Sequence, residues 1–103
     1  MHIRISSKHM TLSAENQEYI RTKVEKLVRI FDRVLEIDVT VERAQHQYHV
    51  ELVSDVIRHR DFVANCTHDD FHACVDLVVD KGSRQLTDWK DQVRNHHRPD
   101  SHH

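Results

Sequence analysis

Apolar residues change their spacing twice along this chain, and that change limits the folds open to it. Ile20, Val24, Leu27, Val28 and Phe31 recur three or four positions apart, the stripe of an amphipathic helix over residues 14–32. From Ile37 to Cys66 the period falls to two. Ile37, Val39 and Val41, then Tyr48, Val50 and Leu52, then Phe62, Ala64 and Cys66 alternate with polar residues, so each run is a strand with one buried face. From Phe71 through Cys74, Val75, Val78, Leu86, Trp89 and Val93 the helical period returns and runs to about residue 95. His2-Ile3-Arg4-Ile5-Ser6 alternates as well and adds a short opening strand. Ser13 is placed to cap the first helix, and Asp69-Asp70 put negative charge at the start of the second.

The expected order is therefore β-α-β-β-β-α. The fold class is α+β, a four-stranded mixed sheet with both helices packed on one face. The first helix makes a parallel crossover, and the short connections near residues 44–47 and 54–59 make the last three strands an antiparallel meander. A single glycine and a single proline in 103 residues leave few tight turns, which suits long elements joined by polar loops. Gly82 falls on the apolar side of the second helix, where a missing side chain lets backbone approach the sheet or the other helix closely. One domain over residues 1–95 and a flexible tail over 96–103 account for the length. Apolar runs no longer than Leu77-Val78-Val79 exclude a helical membrane span, and with no apolar leader at the N-terminus the expected location is cytoplasmic.

Fifteen Lys and Arg against seventeen Asp and Glu give a formal charge of −2, which excludes a generally basic coat protein. The charge is nevertheless segregated. With Ile20 at zero and about 100° per residue, Lys23 falls at about 300°, Lys26 at about 240°, Arg33 at about 220° and Arg29 at about 180°. The acids Glu18, Glu25 and Asp32 share another flank, while Lys81, Arg84 and Lys90 stand on the second helix. A cation ridge of this kind suits phosphates, since several cations must displace counterions together. A solvated helix face produces the same pattern with no partner at all.

Eleven histidines are unusual for the length. His68 and His72 stand four apart, a two-ligand metal spacing, and Cys66 and Cys74 are nearby. Both thiols, however, share the parity of core residues, so no metal site or cofactor is expected. Gly-rich phosphate loops, nucleophile elbows and HExxH motifs are missing, and no spacing of Ser, His and Asp singles out a triad, so the reading is a non-enzyme without a small-molecule substrate.

Two stretches carry a family resemblance. Ser7-Lys8-His9-Met10 followed by Leu12-Ser13-Ala14 and Lys26-Leu27 resembles the opening of the bacterial ribosome hibernation promoting factors, whose relatives include the ribosome-associated translation inhibitor called protein Y. His68-Asp69-Asp70-Phe71-His72-Ala73-Cys74-Val75-Asp76, continued by Asp80-Lys81-Gly82-Ser83-Arg84-Gln85-Leu86, resembles that family's second-helix signature. The resemblance spans about residues 2–92. It implies a fold similar to double-stranded RNA-binding domains and a monomer that binds rRNA of the small ribosomal subunit in the mRNA and tRNA channel. It also implies inhibition of translation in stress or stationary phase and, for a short form such as this, pairing of ribosomes into inactive dimers. Lys26, Lys81 and Arg84 match family cations, and Lys8 follows from the Ser-Lys-x-Met match. Lys23, Arg29, Arg33 and Lys90 join the candidate RNA-binding set from helical geometry. Phe71 and His72 replace Met and Tyr of the pattern, and Gly82 replaces a large apolar residue. An interaction module that binds no RNA is the alternative.

Overall fold

The computed structural model describes residues 2–96. Strand β1 (His2–Lys8) leads to helix α1 (Ala14–Ile30), followed by β2 (Val34–Ala44), β3 (Gln47–Val56), β4 (Phe62–His68) and helix α2 (Phe71–His96). The strands lie side by side in sequence order. β1 pairs parallel with β2, Ile3 opposite Ile37 and Ile5 opposite Val39, while β3 and β4 add antiparallel. The order and class read from the sequence are those of the structure. Of the expected tail only His96 is described, where it closes α2; the rest lies outside the described residues.

Local chemistry explains both helix starts. Ser13 adopts an extended conformation and its Oγ accepts the Asn16 N–H at 3.1 Å, satisfying one of the donors that a helix start leaves unpaired. At α2 the Ala73 N–H donates to Asp70 Oδ2 at 3.0 Å and the Cys74 N–H to the Asp70 carbonyl, also at 3.0 Å. Asp70 is thus the capping acid of the Asp69-Asp70 pair.

Helix α1 stops two residues before the expected end at 32. Phe31 turns to φ −146° and ψ 117° and buries its ring, because the chain must reverse at once to begin β2 at Val34. Asp32 and Arg33 therefore sit in a turn, and the helical angles assigned to them do not apply. β3 also runs four residues further than its alternating core of Tyr48, Val50 and Leu52, which brings Ser54 into the interior.

The core lies between the sheet and the two helices. Ile37, Val39 and Val41 of β2 and Val50 and Leu52 of β3 meet Ile20, Val24 and Leu27 of α1 and Cys74, Val75, Val78 and Leu86 of α2. Each fully buried aliphatic side chain contributes about 1.5–3 kcal/mol by leaving water. Gly82 makes the close approach possible. A Cβ there would stand 3.1 Å from Leu52 Cδ2, so the sheet packs closely onto its bare backbone, while Leu27 Cδ1 of α1 lies at an ordinary contact distance of 3.6 Å.

The opposite face of the sheet is polar and acidic. Glu36, Asp38 and Glu42 of β2 and Glu51 and Asp55 of β3 alternate with the buried residues and point away from the helices. Arg4 bridges Glu36 at 2.7 Å and Asp38 at 3.4 Å. Partial burial and then the neighbouring Glu36 push the Asp38 carboxyl above its usual range, and Arg4 offsets this only in part.

Candidate nucleic-acid interface

Helices α1 and α2 lie side by side on the sheet, and the furrow between them collects most of the candidate cations. In its upper part Lys23 and Lys26 of α1 face Asp76, Asp80 and Ser83 of α2 over Leu27, Ile30 and Val79. Its lower part continues from Ile30 past Phe31 and Val93, where Arg29, Arg33 and Lys90 converge with Arg94 around the single acid Asp32. Arg33 reaches this place from the turn after α1, with its guanidinium 5.9 Å from the centre of the Phe31 ring.

The remaining three candidates stand elsewhere. Lys81 and Arg84 occupy the flank of α2 that faces β4, beside Val63, Asn65 and Gln85. Lys81 Nζ donates to the Asn65 carbonyl at 2.8 Å, and Gln85 Nε2 donates to the Val63 carbonyl at 2.9 Å. β4 ends the sheet, so these side chains cover carbonyls that would otherwise form an open edge. Arg84 pairs with Asp80 one turn earlier at 3.0 Å. Lys8 ends β1 opposite Glu42, at the end of the sheet where α1 begins and away from the lower furrow. The single ridge expected from the helical wheel is therefore divided. Arg94 was missed, although it stands four residues after Lys90 on the same helical face. A wheel drawn for one helix at a time does not reveal a furrow built by two.

Asp76 organises the upper part. It accepts the Tyr19 hydroxyl at 2.7 Å and lies 3.6 Å from Lys23 Nζ, itself 5.4 Å from the centre of the Tyr19 ring. The hydrogen bond to Asp76, then burial and the Asp76 charge, push the Tyr19 phenol up to about 12. The bond persists while the phenol keeps its proton, so its stabilisation is complete below about pH 10 and is lost as pH rises through about 12. An alkaline absorbance titration should show one of the two tyrosines ionising near pH 12. Replacing Asp76 with Asn should bring that step back towards 10; an unmoved step would break the link.

The histidine and cysteine groupings take other roles. His68 Nδ1 accepts the Asp70 N–H at 2.9 Å, and the His72 ring stands edge-on to Tyr19 with centroids 4.4 Å apart. Cys74 is fully buried, its Sγ 3.2 Å from the Cys66 carbonyl, and burial first, then Cys66, pushes its thiol up to about 11. Among the described residues no three His, Cys, Asp or Glu side chains come together as metal ligands, and no helix is long and apolar enough to cross a membrane.

A four-stranded sheet with an acidic outer face, backed by two helices with a cation-lined furrow between them, defines a class of small α+β domain whose helical side is suited to phosphate. Residues 3–94 match the family model described as Sigma 54 modulation protein / S30EA ribosomal protein, and the chain belongs to that family. It is 31% identical over 94 residues to a ribosome hibernation promoting factor of Azotobacter vinelandii, covering 89% of this chain and 85% of that one. With the factor of the same name from Salmonella typhimurium it shares 29% over 101 residues, covering 93% of this chain and all of that one. The fold is shared with a ribosomal subunit interface protein from Coxiella burnetii, at a TM-score of 0.79, 22% identity and coverage of 88% and 99%. It is shared too with the N-terminal domain of Thermus thermophilus Protein Y, at a TM-score of 0.79, 20% identity and coverage of 86% and 99%.

Proposed function

We propose that this protein is a ribosome hibernation factor. It binds the small ribosomal subunit through rRNA phosphates lining the mRNA and tRNA channel, inhibits translation by occupying that channel, and acts in stress or stationary phase. It promotes pairing of ribosomes into inactive dimers. The protein works in the cytoplasm as a monomer, by occupancy and not by chemistry, and needs no cofactor.

The observation that carries this reading is the polarity of the domain: a cation-lined furrow on the helical side and carboxylates on the sheet side. Phosphates are attracted to the first surface and repelled by the second, so a formally acidic protein presents one face to RNA. Salt screens charges beyond about 8–10 Å, so the distant carboxylates do little to weaken a local cation cluster. Contacts of this kind position a protein on folded RNA without reading its sequence. In sucrose gradients at moderate salt the protein should travel with vacant small subunits. Remaining at the top of the gradient would overturn the proposal.

A further inference from the structure

The two cysteines stand eight residues apart in sequence, one on β4 and one on α2, and the fold brings them against one another. Cys66 is on the inward side of β4, opposite Val50 of β3, and packs against the core while remaining half-buried. Cys74 lies in the first turn of α2 and is fully buried. Its Sγ is 3.2 Å from the Cys66 carbonyl and 3.6 Å from the Tyr48 carbonyl, so the sulfur rests on the main chain of Cys66 itself. The Cys66 thiol is near enough to act on the Cys74 thiol directly. Neither thiol lines the interhelical furrow, so their chemistry does not depend on the ribosome-binding reading.

We infer that Cys66 and Cys74 form a peroxide-sensitive dithiol, which oxidation converts to a disulfide tying β4 to the first turn of α2. Exposure sets the order of events. Cys66 meets solvent, whereas burial holds the Cys74 thiol protonated at neutral pH. The Cys66 thiolate attacks one peroxide oxygen, the O–O bond breaks, and hydroxide leaves and is protonated to water, giving a sulfenic acid. The Cys74 sulfur then attacks the Cys66 sulfur. The S–S bond forms as the S–O bond breaks, and the departing hydroxide carries off the Cys74 proton as a second water. Two thiols and one hydrogen peroxide thus become one disulfide and two waters. The main-chain N–H groups of Val50 and His68 face the Cys74 sulfur and favour its thiolate, which assists this second step. In a reducing compartment such a bond is transient, and exchange with free thiols returns it to the dithiol.

The test follows the fate of both thiols under hydrogen peroxide. Trypsin cuts after Arg60 and Lys81 and nowhere between, so both cysteines fall in the peptide of residues 61–81. Wild-type protein treated with peroxide and then alkylated should have no free thiol. It should remain a single chain and yield that peptide two hydrogens lighter and unalkylated. Cys74→Ser should instead trap Cys66 as a sulfenic acid that dimedone captures, and Cys66→Ser should leave Cys74 unmodified at the same dose. The wild-type readout decides the matter even where a variant folds poorly. A bridge limits the unfolded chain, so the oxidised protein should melt at a higher temperature, and dithiothreitol should restore the original Tm. Two free thiols after treatment, an oxidised Cys66 beside a free Cys74, or a disulfide found only between two chains would overturn the inference. So would an oxidised protein that melts below the reduced one, since the fold would then not present the pair ready for bridging.

Discussion

Raising salt from about 50 to about 200 mM should weaken association with vacant small subunits about a hundredfold. Each phosphate neutralised by a cation releases a counterion, and the logarithm of affinity falls with that of salt at about −0.7 to −0.9 per contact. Four contacts, those of Arg29, Arg33, Lys90 and Arg94, give the stated factor. Reversing Arg29 and Lys90 to Glu should act still more strongly, since it leaves two cations facing three carboxylates in the lower furrow. No association should then be detectable at about 150 mM salt, a loss of more than about a hundredfold. Arg43→Glu is the control. That residue lies beside the β2–β3 hairpin, its guanidinium 5.1 Å from the centre of the Tyr48 ring, and its reversal should change affinity less than about threefold. A nearly flat salt profile would instead favour an apolar protein partner, as an interaction module without RNA binding requires.

The second large effect concerns stability and centres on Gly82. A Leu at this position must place its side chain where Leu52 and Leu27 already lie, with its own Cβ 3.1 Å from Leu52 Cδ2. Forcing extra carbons into a filled core costs about 1–3 kcal/mol and at times more. Replacing a mid-helix glycine returns up to about 1 kcal/mol. The two together give a net loss of about 2 kcal/mol or more for Gly82→Leu, which lowers Tm by roughly 8–16 °C in a domain of this size. Gly82→Ala should be close to neutral, because the flexible end of Leu52 has only to yield slightly while the helix gains propensity. Leu52→Ala alone should cost about 2–5 kcal/mol through the cavity it leaves. Combined with Gly82→Leu it should recover part of that loss, because the new side chain fills the cavity. Thermal unfolding of the four proteins closes the cycle, and strictly additive losses would show that the two residues do not share a space.

That contact between Gly82 and Leu52 also marks the boundary between local and tertiary information. The element order was legible because it depends on local physics. A helix buries every third or fourth residue, a strand every second, and the changes of period near residues 34 and 70 are written in the apolar residues themselves. The Ser13 cap and the acidic start of α2 were legible for the same reason, since a cap acts within three residues of chain. The glycine signalled a close approach, yet which side chains fill the space depends on where β3 and α1 lie.

The candidate site was legible only in part. Five of the eight candidate cations do line the interhelical furrow, but their division follows from how α2 is rotated on the sheet. That rotation turns Lys81 towards the carbonyls of β4 and sets Asp76 and Asp80 across from Lys23 and Lys26. Arg33 reaches the furrow by a turn and not along a helix face, and Arg94 joins it from one turn beyond Lys90. Sequence determines which charges a chain carries and on which face of its own helix each one stands. The free energy of a charge depends on the groups within a few ångströms of it, and here many of those groups are contributed by other elements, so only the packed structure decided which cations face carboxylates and which do not.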